Sequence, residues 1–163
     1  MRSAKENVHL VVLQHGLWGI AENLSFLESE LLRVVASTKP SMSVKTLNSN
    51  ASEKKKTYDG IDVCGERLIT LIKERIETLA SEESCIVTHL SFIGYSMGGL
   101  ITRYVVGKLE WEGSFSKDGF TPVNFITIAT PHLGSWRPSK GFRDTMFNGL
   151  VTSISSWSGY HVS

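Results

Sequence analysis

The clearest chemical signal in the sequence is a serine set between two glycines. Gly94-Tyr95-Ser96-Met97-Gly98 matches the pattern G-x-S-x-G. A nucleophilic serine must project its hydroxyl from a sharp turn between a strand and a helix, and side chains two residues away on either side would crowd that turn. The apolar run Leu90–Ile93 precedes the motif, and the helix-like segment Gly99–Val106 follows it. The pattern therefore predicts that Ser96 is a nucleophile for acyl transfer.

Two backbone N–H groups are expected to stabilise the negative charge that such an attack creates. One comes from the residue after the nucleophile, here Met97, which opens a helix whose N-terminal dipole also favours an anion. The other comes from the loop after an earlier strand, where His15-Gly16 lies, and Leu17 is the expected donor. Gly16 would let this loop approach the substrate closely. We interpret His15 as a structural residue that orients the loop.

The base that would activate Ser96 is not decided by the sequence. The order nucleophile, acid, histidine leaves His132 and His161 as candidates. His132 follows an apolar run, but Asp118 is the only aspartate between it and Ser96, in a predicted surface loop. Asp144 and His161 have the right order but lie close to the end of the chain, where no predicted strand supports them. Both alternatives stay open.

The elements that must hold these residues alternate along the chain. Such alternation predicts an α/β protein with a mostly parallel sheet covered by helices. Apolar runs predict four strands, and apolar residues at helical spacing predict three helices. The strands are 9–14, 44–47, 90–95 and 124–129, and the helices are 22–36, 61–80 and 98–109. Because chemistry in such sheets gathers beyond the carboxyl ends of the strands, the loops after Gln14, Tyr95 and Ala129 are expected to converge.

Length and composition are those of one ordinary domain. We predict a single domain over 1–163, with its core at 8–134 and a less patterned tail at 135–163, where 142–154 has some helical character. A net charge of +1 argues against a general nucleic-acid partner. Cys64 and Cys85 match no metal spacing, so they are expected to be free thiols, and no metal is expected.

No segment of the sequence reads as a membrane span or a signal peptide. The apolar run Val8–Leu13 is too short for either and leads directly into the His15-Gly16 loop. The lysines of 54–56 are fewer than a typical lipid-binding basic cluster, so this segment is interpreted as a solvated loop. We therefore expect an intracellular protein without a transmembrane segment, with peripheral contact to a lipid surface left open.

Three blocks of the sequence resemble a known family. They are Leu10-Val11-Val12-Leu13-Gln14-His15-Gly16-Leu17-Trp18-Gly19, Phe92-Ile93-Gly94-Tyr95-Ser96-Met97-Gly98-Gly99-Leu100 and Ile128-Ala129-Thr130-Pro131-His132-Leu133-Gly134. In this order they resemble the serine esterases of the lipase-like α/β-hydrolases, whose fungal members include a lipid-droplet phospholipase and monoacylglycerol lipase-like proteins. The resemblance spans about Val8 to Gly134. It implies the α/β-hydrolase fold, with helices on both faces of the sheet.

The same resemblance implies a function. It implies a cytoplasmic enzyme without a cofactor, with Ser96 as its nucleophile, that hydrolyses ester bonds of acyl lipids such as phospholipids or acylglycerols at a membrane or lipid-droplet surface. In this fold the acid and the histidine follow two further strands, so the chain is expected to be truncated at its C-terminus. Two alternatives remain: a non-catalytic relative that binds lipid or a partner, and a protein deacylase or peptidase of the same fold.

Overall fold

A four-stranded parallel sheet forms the centre of the molecule. The computed structural model describes residues 5–116 and 119–134. Its strands are β1 (Glu6–Gln14), β2 (Val44–Asn48), β3 (Cys85–Tyr95) and β4 (Thr121–Ile128). Its α-helices are α1 (Ser25–Thr38), α2 (Ile61–Ser81) and α3 (Met97–Trp111), and short 3₁₀ helices span Ala21–Leu24 and Lys54–Asp59. The sheet order is β2-β1-β3-β4, with every pair parallel.

Both faces of the sheet are covered by helices. On one face, Leu10 and Val12 of β1 and Phe92 of β3 pack in a core with the apolar sides of α2 and α3. On the other face, Val11 and Leu13 form a smaller core with Ile93, Leu24 and partly buried residues of α1. Successive side chains of a strand point to opposite faces, so β1 supplies both cores. The predicted parallel sheet with helices on both faces is confirmed.

The strand register aligns the carboxyl ends of three strands. Gln14 of β1 pairs with Gly94 of β3, and Tyr95 of β3 pairs with Ile128 of β4. The chain leaves these strands at one edge of the sheet, where ligand sites of parallel α/β sheets form. The alternation of strands and helices predicted from the sequence therefore places the three distinctive loops next to one another.

Several element boundaries differ from those predicted. β3 begins at Cys85 rather than Leu90, because polar Thr88 and His89 interrupt an otherwise apolar run. β4 begins at Thr121 and includes Pro122, a residue that sheets accept at edges and strand starts. The segment before α1 forms a 3₁₀ turn, so the α-helix starts at Ser25 rather than Glu22. The tail at 135–163, including the helical interpretation of 142–154, lies outside the described residues.

Candidate active site

Ser96 lies in a strained turn between β3 and α3. Its backbone has φ 54° and ψ −126°, a left-handed conformation that residues with a Cβ rarely adopt. Two hydrogen bonds hold the turn: Ser96 N–H donates to Ile128 O at 2.8 Å, and Gly99 N–H donates to Ser96 O at 3.1 Å. The side chain is half-buried. The surrounding backbone therefore fixes Ser96 at the end of the central strand β3.

The glycines around Ser96 are required by close backbone approaches. A Cβ on Gly94 would overlap the backbone of Gly99 at the start of α3. A Cβ on Gly98 would overlap Gln14 O and would lie 2.5 Å from His15 O, at the end of β1. Both neighbours are main-chain atoms, which cannot move aside by changing a rotamer. The spacing G-x-S-x-G thus lets α3 pack tightly against the ends of β3 and β1.

The loop after β1 packs directly against the serine. A Cβ on Gly16 would lie 2.8 Å from Ser96 Cβ and 3.2 Å from Ser96 Oγ. Gly16 O accepts a hydrogen bond from Gly19 N–H at 3.0 Å, and His15 Nδ1 lies 3.0 Å from the same oxygen. His15 is 1% exposed, and it borders Gly19 closely. Two contacts on one carbonyl hold this loop beside Ser96.

The two expected oxyanion donors have no hydrogen-bond partner among the described residues. Neither Leu17 N–H nor Met97 N–H makes a hydrogen bond within residues 5–116 and 119–134. Met97 begins α3, where the first N–H groups of a helix have no acceptor inside it. The roles of Leu17 and Met97 stay predictions, and nothing in residues 5–116 and 119–134 occupies either backbone donor.

A cleft of about 360 Å³ opens beside Ser96. Its walls come from the loop after β1, from Asn23 and Leu24 of the 3₁₀ helix before α1, and from Tyr95 and Ser96. Trp18 is 61% exposed and Tyr95 is 46% exposed, so aromatic surface lies next to the cleft. Asn23 and Leu24 were not predicted as site residues, because their place at the cleft depends on how the 3₁₀ turn folds back on β1.

Residues 53–58 hold the loop after β1 in place through hydrogen bonds and an aromatic contact. Trp18 N–H donates to Thr57 Oγ1 at 3.1 Å, and Lys54 N–H donates to Gly19 O at 3.0 Å. Ala21 N–H donates to the Glu53 carboxylate at 2.9 Å, and Trp18 stacks edge-on against Tyr58 at 5.7 Å. The polar sequence of this segment predicts a solvated loop. Its three lysines are exposed as expected, but its other side chains support the cleft.

The loop after β4 reaches the same edge of the sheet. A Cβ on Gly99 would overlap the Thr130 side chain, so this loop packs on the start of α3. His132 is exposed, and its Nε2 lies 2.9 Å from Thr127 Oγ1. Within the part of the chain that the structure describes, no hydrogen bond joins His132 or any other histidine to Ser96 Oγ. Asp144 and His161 lie outside the described residues.

Three of the five non-glycine residues with positive φ in the described ranges lie in loops at this edge of the sheet. Trp18, Ser96 and Ala129 all have positive φ, at 57°, 54° and 54°, and each lies just beyond the end of a different strand. A non-glycine residue in this region costs about 1–3 kcal/mol and persists where the surroundings enforce it. Such residues are common at ligand-binding and catalytic sites. The strain supports the placement of a functional site here.

Other polar groups of the sequence have structural roles. Tyr104 packs on Gly65 and donates a hydrogen bond to Glu66, which raises the pKa of Tyr104 to about 12. Cys64 and Cys85 are buried free thiols, as expected, and burial raises the pKa of Cys64. In the described ranges, no group of three or more His, Cys, Asp or Glu side chains could hold a metal ion.

The comparisons with known proteins agree with this geometry. The family described as "Putative serine esterase (DUF676)" matches residues 4–158. The chain belongs to this family. The resemblance inferred from the three sequence blocks is therefore confirmed, and it extends beyond the range first expected. DUF676 membership supports a serine hydrolase, in keeping with the strained Ser96 turn.

Several fungal proteins are similar in sequence to this DUF676 chain. The chain is 31% identical over 132 residues to "Putative lipase C4A8.10" of Schizosaccharomyces pombe, an alignment that covers 79% of this chain and 16% of that protein. It is 30% identical over 128 residues to "Putative lipase ROG1" of Saccharomyces cerevisiae, with 77% and 17% covered. "Putative lipase YDR444W" of the same yeast is 29% identical over 136 residues, with 78% and 19% covered. The chain thus spans less than a fifth of the length of these relatives.

One further finding concerns membranes. Over the described part of this DUF676 chain, no helix combines the length and the apolar character needed to cross a bilayer.

Proposed function

We propose that the chain carries the nucleophile of a serine esterase that hydrolyses acyl esters of lipids, phospholipids or acylglycerols among them. The observation that carries the proposal is the Ser96 turn: a serine with φ 54° at the junction of β3 and α3, near two backbone N–H groups that have no partner in the described part of the chain. Membership of the serine esterase family supports the reaction class. The lipase names of the fungal relatives support an acyl lipid as the substrate.

In the proposed reaction, Ser96 Oγ attacks the ester carbonyl carbon and passes its proton to a histidine base. The carbonyl oxygen becomes an oxyanion that accepts hydrogen bonds from Leu17 N–H and Met97 N–H. The carbon–oxygen bond to the alcohol then breaks, and the alcohol leaves with the proton from the base. Water attacks the acyl-serine by the same route, which releases the fatty acid and restores Ser96. No metal or organic cofactor takes part.

We propose that the base of this reaction is a histidine outside residues 5–116 and 119–134, on a segment that brings it to Ser96. His132 is bonded to Thr127 and exposed, so it is the weaker candidate in this arrangement. Asp144 and His161 keep the required order and remain candidates. The chain covers less than a fifth of its relatives, so another acid and histidine of the whole protein are equally open.

A lipid surface is the proposed place of action. Exposed Tyr95 lines the cleft, exposed Trp18 lies between the lining residues Leu17 and Gly19 in the chain, and Leu133 in the loop after β4 is fully exposed. Aromatic residues with one apolar and one polar side favour the boundary between lipid and water. These exposed side chains support docking on a membrane or a lipid droplet, where we propose that the enzyme takes its substrate from the cytoplasmic side.

Labelling with a fluorophosphonate probe tests the nucleophile. We expect rapid labelling of the longest form of the protein that contains this sequence, and none in its Ser96→Ala variant. Labelling of the 163-residue chain would place the base within it. A folded long form that is not labelled at Ser96 would exclude the esterase mechanism and favour a non-catalytic, lipid-binding role.

A substrate panel tests the lipid assignment. Monoacylglycerol, phospholipid, S-acyl peptide and peptide-amide substrates are compared at equal concentration in the labelled form of the protein. Preferred release of fatty acid from the lipid esters supports the proposal. Preferred cleavage of the S-acyl peptide or the amide would assign the site to a protein deacylase or a peptidase instead.

A further inference from the structure

Trp18, in the loop after β1, is held by two consecutive residues of a distant segment. Its backbone N–H donates to Thr57 Oγ1 at 3.1 Å, and its indole ring lies edge-on against Tyr58, with 5.7 Å between the ring centroids. Thr57 is fully buried although it is polar, and its hydroxyl donates in turn to Lys54 O at 2.6 Å. Because this hydroxyl has one acceptor for its proton and one donor for its lone pair, its orientation is fixed.

Trp18 is the third residue of a tight turn that borders the nucleophile Ser96. Gly19 N–H donates to Gly16 O at 3.0 Å, which closes a four-residue turn with Leu17 and Trp18 at its centre. Of these two central residues only Trp18 has a positive φ, at 57°. A negative φ followed by a positive φ is the sign pattern of a type II turn, which usually has glycine or asparagine at its third position. A tryptophan there is strained, so its surroundings must enforce the conformation.

The competing type I turn suits a tryptophan better. Both turn types keep the same closing hydrogen bond, and they differ mainly in the peptide between the two central residues, which is rotated by roughly 180°. Rotation of the Leu17–Trp18 peptide would turn the Trp18 N–H away from Thr57 Oγ1. The hydrogen bond to Thr57 therefore opposes the one rotation that would relieve the strain at Trp18.

We propose that Thr57 is a positioning residue of the candidate active site, whose hydroxyl keeps the loop after β1 in the strained turn that presents Leu17 to the substrate. Leu17, the expected second oxyanion donor, is joined directly to the N–H group that Thr57 binds. On its other side, a Cβ on Gly16 would lie 3.2 Å from Ser96 Oγ, so the turn is next to the nucleophile. An oxyanion donor must be held within about 0.5 Å of its productive position. The inference rests on the proposed esterase function, because it gives Thr57 a role in oxyanion stabilisation.

Steady-state hydrolysis of a p-nitrophenyl ester by the longest form of the protein that contains this sequence tests the role. Thr57→Val keeps the shape of the side chain but removes the acceptor, so we expect kcat to fall by about 10–100-fold while KM changes by less than about threefold. Thr57→Ser retains the hydroxyl and should recover most of kcat. Thr57→Ala, which also lacks the acceptor and cannot overfill the site, replaces Thr57→Val if that variant does not fold.

Thr102→Val provides the matched control. Thr102 is as fully buried as Thr57, but its hydroxyl bonds only to Gly98 O and Gly99 O inside α3, at 3.0 and 3.2 Å. Its removal leaves no N–H group of the loop after β1 without a partner, so kcat should stay within about threefold of the parent value. A loss in Thr102→Val as large as that in Thr57→Val would show that any buried hydroxyl near the site matters equally.

Amide hydrogen exchange of the 163-residue chain separates positioning from a general loss of structure. Because both turn types keep the Gly19 N–H bond, rotation of the central peptide frees the Trp18 amide alone. We expect Thr57→Val to exchange the Trp18 amide about tenfold faster or more, with the Gly19 amide unchanged. Thr57→Ser should exchange both amides at the parent rate.

The positioning role of Thr57 is overturned by an unchanged kcat in Thr57→Val, by a Thr57→Ser variant that recovers nothing, or by equal acceleration of exchange at Trp18 and Gly19. Each of these outcomes leaves a parent protein that still hydrolyses the ester, so the proposed function survives them. Failure of the proposed function gives a different pattern, in which the folded parent shows neither turnover nor fluorophosphonate labelling at Ser96. The role of Thr57 in oxyanion stabilisation then falls with it, whatever the exchange rates.

Discussion

Replacing Gly98 by alanine tests whether the close approach of α3 to β1 holds the site together. The new methyl group would overlap Gln14 O and would lie 2.5 Å from His15 O and 2.8 Å from Gln14 C. All three atoms belong to the backbone, so the strain can be relieved only if α3 and the end of β1 move apart. Overpacking of this kind costs about 1–3 kcal/mol, and sometimes more.

The same substitution also has a favourable part. Alanine in place of glycine stabilises a helix interior by about 0.5–1 kcal/mol, and less at its first turn, where Gly98 lies. The net expectation for Gly98→Ala is a loss of about 2 kcal/mol. For a chain of this length that loss lowers Tm by roughly 4–8 °C. The separation of the Ser96 turn from the Gly16 loop should also slow fluorophosphonate labelling.

Gly107 in the same helix provides the control. A Cβ there would meet nothing within 4 Å, so Gly107→Ala retains only the helix-propensity gain. Its Tm is expected to rise by about 1–4 °C. Both variants are measured by thermal and urea unfolding under identical conditions. A Gly98→Ala chain as stable as the parent, or a Gly107→Ala chain that loses as much as Gly98→Ala, would refute the steric argument.

Three further outcomes are expected. Burial, and to a lesser extent the neighbouring His89, hold the pKa of His9 below its usual 6.5, so the unfolded chain takes up this proton first. Stability from this group is therefore present above pH 6.5 and falls as the pH drops through the lowered pKa. In EDTA, the loss of Tm between pH 7.5 and 5 should be smaller for His9→Gln than for the parent chain. Phe92→Ala removes a side chain 2% exposed in the larger core and should cost about 3–5 kcal/mol in urea unfolding, and a loss below 1 kcal/mol would contradict the packing described. Burial raises the pKa of the Cys64 thiol, so a disulfide reagent should modify native Cys64 far more slowly than the urea-unfolded chain, and equal rates would show that the thiol is accessible.

The parts of the fold that sequence alone predicts are those with strong local patterns. β1 and α2 have long apolar runs or a continuous apolar face, and their predicted positions match the structure to within a few residues. The sequence does not predict the start of β3, because half-buried Thr88 and exposed His89 are both polar. Cys85 and Val87, which precede them in the strand, are nevertheless buried. A strand is predicted from its run of apolar residues, which reflects burial. Where one face of the strand is solvated, every second residue can be polar, and the run is no longer recognisable.

The candidate site likewise has features that the sequence predicts and features that it does not. The G-x-S-x-G spacing predicts the turn at Ser96, because the steric requirement is local. The contact of Gly98 with Gln14 O, and the support that Thr57 gives to Trp18, join residues distant in the sequence. No spacing encodes such contacts, since they depend on the register of β1 against β3. The triad partners remain predictions for the same reason: order along the chain does not determine proximity.

The central position of β1 has a consequence for protein synthesis. β1 is made before both of its neighbours in the sheet, β2 and β3, and β3 follows only after β2 and α2. At about 5–20 residues per second, the ribosome needs on the order of ten seconds between releasing the Gly16 loop and completing the Ser96 turn. During this interval the apolar residues of β1 lack their final partner strand. The nascent chain should therefore depend on chaperones until β3 emerges, and translational pausing between β2 and β3 should increase its aggregation.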